Sequence, residues 1–235
     1  MKPPTETDAL GEFLISARSL AEYRAIFDLA DTDLRGRRIL DCPGGAASFT
    51  AEAAALGAHV TATDPIYAKP PAELRELART ETERGSAYAG AHHDRYRWDF
   101  YGDPDHLRAV RLSAAGRFGA DLAANPDRYV AAQLPALPFA DNSFDLTLSS
   151  HLLFTYADRL DADFHLAALL ELSRVTRGET RLYPLVDHTG RHQDDLVTNL
   201  RKELHHKGIP TTLRPTRYEF HHGATSMLVL HPNQN

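Results

Sequence analysis

Apolar residues recur at helical spacing between Asp8 and Ala30, at Leu10, Phe13, Leu14, Ala17, Leu20, Ala21, Tyr23, Ile26 and Phe27. This predicts one or two amphipathic helices. After Gly36-Arg37-Arg38 a short apolar strand begins at Ile39-Leu40-Asp41. Cys42-Pro43-Gly44-Gly45 can only be a tight turn, because Pro and two Gly interrupt any regular element. Ala46 to Leu56 is Ala-rich and stops at Gly57, which predicts a helix. The β-branched stretch Ala58–Thr63 predicts a second strand, ending at Asp64-Pro65. Strand, glycine turn, helix and strand make a βαβ unit, which implies parallel strands and a right-handed crossover.

The texture changes between Tyr67 and Asp127, which is rich in Arg, Ala, Asp, His and aromatic residues. Helices are predicted around Pro71–Arg84 and Asp105–Arg117. Ordinary α/β connections are far shorter, so about forty of these residues read as an inserted helical cap. Alternation resumes with strands at Arg128–Ala132 and Phe144–Ser150. A helix at Asp163–Thr176, a strand at Glu179–Val186 and a helix at His192–Lys207 follow. Thr211–Phe220 and Thr225–His231 read as a hairpin turning at His221-His222-Gly223. The order predicts an open, mostly parallel sheet with helices on both faces and a C-terminal antiparallel hairpin. Ligands of such sheets lie beyond the carboxyl ends of the strands. That rule directs attention to Asp41–Gly45, Asp64–Tyr67, Ala132–Leu134, Ser149–Tyr156 and Asp187–Gly190.

Composition narrows the class. The chain has 235 residues, 43% of them hydrophobic and 25% charged, which is ordinary globular usage. Its net charge of −6 disfavours a protein that lives on a nucleic-acid backbone. A single cysteine, Cys42, excludes an internal disulfide framework and a thiolate zinc cluster. The 13 histidines leave histidine chemistry open. Adjacent pairs such as His92-His93 and His205-His206 do not face one way on a helix or strand, so no metal is expected. No apolar run approaches a bilayer span and Met1–Asp8 lacks a signal-peptide pattern, so the expectation is a soluble cytoplasmic protein.

Two carboxylates stand at strand ends, Asp41 before the glycine turn and Asp64, 23 residues later, near the spacing at which a second-strand acid meets a ribose. G-x-G-x-x-G is absent, which counts against a dinucleotide. Each signal taken singly is also what a plain turn or a helix cap looks like. Their order and placement at strand ends favour cofactor binding.

At three stretches the chain resembles class I S-adenosylmethionine-dependent methyltransferases of the small-molecule type. They are Ile39–Thr50, Val60–Pro65, and Gln133-Leu134-Pro135-Ala136-Leu137-Pro138-Phe139-Ala140-Asp141-Asn142-Ser143-Phe144-Asp145, the last being the most specific. The resemblance covers roughly Arg38–Asp64 and Tyr129–Leu230, leaving out the cap. It implies a Rossmann-like, mostly parallel seven-stranded sheet and S-adenosyl-L-methionine as cofactor. By position along the chain, the expected units are N-terminal lid helices over residues 1–36, a cofactor domain over 37–66 and 128–235, and the cap over 67–127. Asp41 and the turn Pro43, Gly44 and Gly45 would face the methionine end of the cofactor. Asp64 would accept from the ribose hydroxyls, with Pro65 and Ile66 flanking the adenine. Gln133, where the family usually has Asp, would accept from the adenine amino group, and the Leu134 N–H would meet a ring nitrogen. Ser149 would complete the set. The turn departs from the family's D-x-G-x-G-x-G, with Pro43 at the first glycine position and Ala47 at the third.

Methyl transfer needs an aligned acceptor and, where the acceptor is protonated, a base. His151, after Ser149-Ser150, is the first candidate, with Tyr156 beside it. His188, after Asp187, is the reserve and reads more simply as a surface turn residue, as His221 and His222 do more strongly. The cap's arginines (84, 95, 97, 108, 111, 117) and its aromatics Tyr88, Tyr96, Trp98, Phe100 and Tyr101 suit an anionic or aromatic acceptor, or a solvated insertion. The reading is a methyltransferase acting on a small molecule at oxygen or nitrogen, as monomer or homodimer. An RNA methyltransferase and a non-catalytic cofactor-binding regulator stay open as alternatives.

Overall fold

The computed structural model describes residues 13–232. Strands β1 (Arg38–Asp41), β2 (His59–Thr63), β3 (Tyr129–Val130), β4 (Phe144–Ser150), β5 (Thr176–Tyr183), β6 (Thr211–Pro215) and β7 (Ser226–Leu230) form one sheet in the order β3-β2-β1-β4-β5-β7-β6. The first five pair in parallel and β7 runs antiparallel to both its neighbours. The seven-stranded, mostly parallel sheet with its antiparallel C-terminal hairpin is the expected architecture. The order reverses between β1 and β4, and this is the switch point at which α/β sheets open a crevice.

The pleat sorts apolar side chains to the two faces. In β7, Met227 and Val229 join the cluster under helices α1 (Leu20–Phe27) and α3 (Phe49–Ala55). Leu228 and Leu230 join the cluster under α6 (Ala162–Val175) and α7 (Asp194–His206). Strand β4 is buried along nearly its whole length, as a central strand covered on both faces should be. Between α1 and β1 lies the one-turn helix α2 (Asp31–Leu34). The long insertion forms two paired helices, α4 (Pro71–Ala91) and α5 (Pro104–Ala124). Phe118 and Leu122 of α5 pack with Ala62 and Tyr129 at the sheet edge, together with Leu74 and Ala78 of α4.

Four expectations change. First, the N-terminal helical pattern is helix only over α1 and α2; Asp8–Glu12 lie outside the described residues, and residues 13–19 form a non-helical strap. The strap's backbone bonds to other elements: Ser16 C=O accepts from Ala46 N–H (3.2 Å), Arg18 C=O accepts from Ser48 N–H (2.9 Å), and Ile15 N–H donates to Glu81 (3.3 Å). Ser19 then caps α1, its hydroxyl accepting from Glu22 N–H. Second, α3 begins at Phe49, because residues 44–48 continue the turn. Third, α4 and α5 run about two turns beyond their expected ends. The start of α5 is set by Asp103, which accepts from His106 N–H, with Pro104 in the first turn. Fourth, β6 ends at Pro215 rather than Phe220. Residues 216–225 instead fold inward, where Phe220 C=O accepts from Arg97 N–H (2.7 Å) and His221 bridges to Tyr96. Burial of Tyr218 and Phe220 against Tyr96, Tyr101 and Tyr183 outweighs the strand pattern.

Candidate active site

The turn after β1 is built by close approach. A Cβ on Gly44 would lie 2.5 Å from the Tyr67 hydroxyl and 2.8 Å from the Ala62 Cβ, so only glycine fits against β2. Gly45 has φ +52°, which a β-carbon disfavours. The turn's amides are already used: Gly44 N–H donates to Thr63 C=O (2.8 Å), Gly45 N–H to Asp64 (3.1 Å), Ala46 N–H to Ser16 C=O and Ala47 N–H to Gly44 C=O. A dinucleotide pyrophosphate needs such amides free. The turn packs against β2 through Gly44 and against the Ser16 carbonyl through Gly45, and it stands beside the Asp64 carboxylate. Cys42 is buried, and desolvation pushes its thiol up to about 12, so it is inert as a nucleophile at neutral pH.

Asp64 is held by Gly45 N–H and by Ile66 N–H (3.1 Å each), one to each carboxylate oxygen. These bonds fix the carboxylate and leave lone pairs for ligand hydroxyls. Burial lifts its pKa to about 6, against the opposing effect of the two amides. Asp41 is fully buried, accepts from the Tyr23 hydroxyl (2.9 Å) at one oxygen and has no partner at the other among the described residues. Burial raises it to about 8, and Asp64 adds to the effect. Asp41 therefore stands behind the cavity wall rather than on it.

The stretch 133–145 turns out to be a clamp. Arg174 of α6 donates to the carbonyls of Phe139 (2.9 Å) and Leu137 (3.3 Å) and to the Asp141 carboxylate (2.6 Å). Glu171 accepts from Leu137 N–H (2.6 Å) and pairs with Arg174. The clamp sets the loop that carries Gln133 and Leu134 to the cavity.

Past β4, His151 adopts the left-handed conformation, with φ +54°. A non-glycine residue in that region costs of order 1–3 kcal/mol and persists where its surroundings impose it. Its N–H donates to Tyr183 C=O (2.7 Å), and its Nδ1 is 2.7 Å from the Ser150 hydroxyl. Burial, reinforced by Arg18 and Arg111, holds its pKa well below the ordinary imidazole value. The Tyr156 hydroxyl accepts from Leu14 N–H (2.8 Å) and its ring meets Phe13 edge-on, so Tyr156 fastens the strap.

A cavity of about 690 Å³ lies over these strand ends, within the range of small-molecule sites. It gathers most of the expected residues: Pro43, Gly44 and Gly45; Asp64, Pro65 and Ile66; Gln133 and Leu134; His151 and Tyr156. Asp41 and Ser149 lie behind its wall, and His188 lines a smaller space beyond Tyr156. His188 and His221 are both buried, which corrects the expectation of surface turns, while His222 is exposed. The sequence reading did not single out the strap (Phe13–Arg18), Tyr23, or Glu81 of α4, all of which reach the cavity. Of the cap's arginines, Arg84 and Arg111 reach the two spaces; Arg97, Arg108 and Arg117 pair with acids at the surface. Among the described residues no three His, Cys, Asp or Glu side chains gather to hold a metal ion, and no helix is long and apolar enough to cross a membrane.

His221 makes the fold acid-sensitive. Burial and then Arg18 push its imidazole from 6.5 to about 4, while Asp187 pulls the other way and His188 and Arg95 add to the lowering. The unfolded chain takes up the proton first as pH falls, so this contribution is complete above about 6.5 and is lost down to about 4. That is about 3 kcal/mol across the window. Asp41 and Asp64 titrate in an overlapping range with the opposite sign. The check is therefore the difference between wild type and His221→Asn in urea unfolding at pH 7 and pH 4.5: wild type should lose about 2 kcal/mol more than the variant.

The strand order, with β7 alone antiparallel, makes a Rossmann-like, mostly parallel sheet, and the carboxylate of Asp64 stands just beyond β2. Residues 105–183, from α5 through β5, match the family described as a methyltransferase domain. That match spans 79 of the chain's 235 residues. Among curated proteins it is 27% identical over 222 residues to the uncharacterised protein MJ0045 of Methanocaldococcus jannaschii, covering 94% of this chain and 97% of that one. Solved structures similar to it include the 1,6-didemethyltoxoflavin-N1-methyltransferase of Burkholderia thailandensis with 1,6-didemethyltoxoflavin and S-adenosylhomocysteine. That likeness is 18% identity over 89% of this chain and 76% of that one, with TM-score 0.46. Another is the magnesium protoporphyrin IX methyltransferase of Synechocystis with S-adenosylhomocysteine, at 14% identity over 89% and 80%, TM-score 0.47.

Proposed function

We propose that this protein methylates a small molecule at oxygen or nitrogen, with His151 as general base. The observation that carries the reading is the placement of His151, in a left-handed conformation at the switch point, on the wall of the cavity that the strap and α4 cover. A covered cavity suits a small acceptor better than an RNA, as does the net charge of −6.

S-adenosylmethionine supplies, when bound, an electrophilic methyl group on a sulfonium. The residues fit it: Asp64 presents fixed acceptors for ribose hydroxyls, and Ile66 and Leu134 offer apolar flanks for the base. Asp41 and Tyr23 stiffen the turn from behind. Ser149 lies beneath the cavity floor, and Gln133 supplies an amide at the adenine end. With Nδ1–H donated to Ser150, the His151 Nε2 lone pair takes the proton of the acceptor atom as the new bond forms. Its lowered pKa keeps the ring neutral at pH 7. Tyr156 positions the strap, and His188 backs Tyr156. The N-terminal segment 1–36 and the insertion 67–127 act as lid and cap over the domain formed by 37–66 and 128–235.

Transfer of label from methyl-labelled S-adenosylmethionine to a panel of small hydroxyl and amine acceptors tests this. His151→Ala should lower the transfer rate about 100-fold, with S-adenosylhomocysteine affinity within about twofold of wild type. Undiminished transfer in that variant would remove the base, and transfer to RNA alone would remove the substrate class.

A further inference from the structure

Beyond Tyr156 and His151 lies a second space of about 80 Å³ that shares Leu14, Ser16, Arg18, Glu81, His151 and Tyr156 with the main cavity. Its wall carries six polar atoms with no hydrogen-bond partner among the described residues: Thr82 Oγ1, Ser86 Oγ, Arg111 Nε, Thr155 Oγ1, His188 Nδ1 and His221 Nδ1. None of these residues is more than 8% exposed. They come from α4, α5, the segments after β4 and β5, and the β6–β7 connection, so no local turn explains their convergence. Each orphaned group costs of order 1–3 kcal/mol, and native proteins keep few of them. Six such residues lining one small space are more than packing alone leaves unpaired.

The charge on the wall says what fits. Arg18 and Arg111 both use the same Glu22 oxygen, at 2.9 and 3.0 Å, so two guanidiniums share one carboxylate. The acids nearby are engaged: Glu81 with Arg84 and Ile15 N–H, and Asp187 with Thr189, Arg191 and Gln193. Asp158 stands 3.7 Å from His188 and is partly exposed. Three hydroxyls and the Arg111 N–H can donate inward, and the imidazoles can donate or accept. An electropositive, donor-rich space of this size accepts a compact planar anion. It is too narrow for an aromatic ring system.

We propose that this chamber anchors the methyl acceptor by a carboxylate, so that the neighbouring part of the acceptor lies against His151. This rests on the methyltransferase reading and names its substrate class, a small carboxylic acid carrying a nucleophilic oxygen or nitrogen.

The test is histidine ring-proton NMR of the full chain saturated with S-adenosylhomocysteine, titrated separately with propionate, propionamide and inorganic phosphate. Propionate should shift the His188 and His221 resonances saturably, with propionamide and phosphate each at least tenfold weaker. Thr82→Val and Ser86→Ala should each weaken propionate about tenfold, the loss of one hydrogen bond to a charged group, and leave S-adenosylhomocysteine affinity unchanged. Equal binding of propionate and propionamide would mean a chamber for water or neutral groups and would overturn the proposal, as would a preference for phosphate or no saturable shift. Competition between propionate and S-adenosylhomocysteine would assign the chamber to the cofactor's own carboxylate and overturn it too. Failure of S-adenosylhomocysteine to bind at all would overturn the cofactor reading, and this proposal with it.

Discussion

Asp64→Ala should weaken S-adenosylhomocysteine binding at least 100-fold, measured by calorimetry at pH 8. In the proposed role the carboxylate at the end of β2 accepts from the ribose hydroxyls, and each such bond contributes about 1.5–3 kcal/mol. The substitution also strips Gly45 N–H and Ile66 N–H of their acceptor, so the turn loses its brace together with its ligand contact. A pH series separates these effects. Because burial raises Asp64 to about 6, its ionised form prevails at pH 8 and fades below 6. Wild-type affinity should therefore fall as pH drops through 6, and the variant's weak binding should not change there. An affinity within about threefold of wild type at pH 8 would show that Asp64 does not hold the ribose.

Glu22→Gln should destabilise the protein by about 3–5 kcal/mol, the cost of leaving buried charge uncompensated. Glu22 is fully buried on α1 and one of its oxygens accepts from Arg18 (2.9 Å), Arg111 (3.0 Å) and the Tyr218 hydroxyl (2.9 Å). These partners belong to the strap, the insertion and the β6–β7 connection, so one carboxylate joins three segments distant in sequence. The amide keeps the shape but leaves two guanidiniums facing each other. For a domain of this size the loss corresponds to roughly 10 °C in Tm. Arg111→Met in the same chain should restore part of it, because the remaining charge then has less to repel. A loss under about 1 kcal/mol by urea unfolding, or no recovery in the double variant, would show that the three segments are held by packing alone.

The parts of the site that were legible in the sequence are those whose signal is local. A glycine turn between a strand and a helix, and an acid closing the next strand, declare themselves by spacing, and Pro43–Gly45 and Asp64–Ile66 do line the cavity. The stretch Gln133–Asp145 was legible as a family likeness but not in its mechanics, since its clamp comes from Glu171 and Arg174, whose side chains reach back across more than thirty residues. Residues 13–19 carry apolar positions at helical spacing yet form a strap. Tertiary partners, the turn at Ala46 and Ser48 and the Tyr156 hydroxyl, take up backbone groups that a helix would have used. His221 beside Gly223 reads as a solvated turn until Tyr96, 125 positions earlier, is seen to bridge to it.

The sequence by itself determined the alternation of strands and helices, the carboxylates at two strand ends and the absence of an internal disulfide framework, because periodicity and residue type act over a few neighbours. Among 13 histidines it put His151 first and His188 second by their place at strand ends, but not their burial. Only the tertiary structure decided that His151, His188 and His221 gather around one buried space, that Tyr156 fastens the strap, and that Glu22 ties three segments together. The reason is burial. Desolvation and partner choice depend on which distant segments exclude water from a group, and no spacing along the chain encodes that.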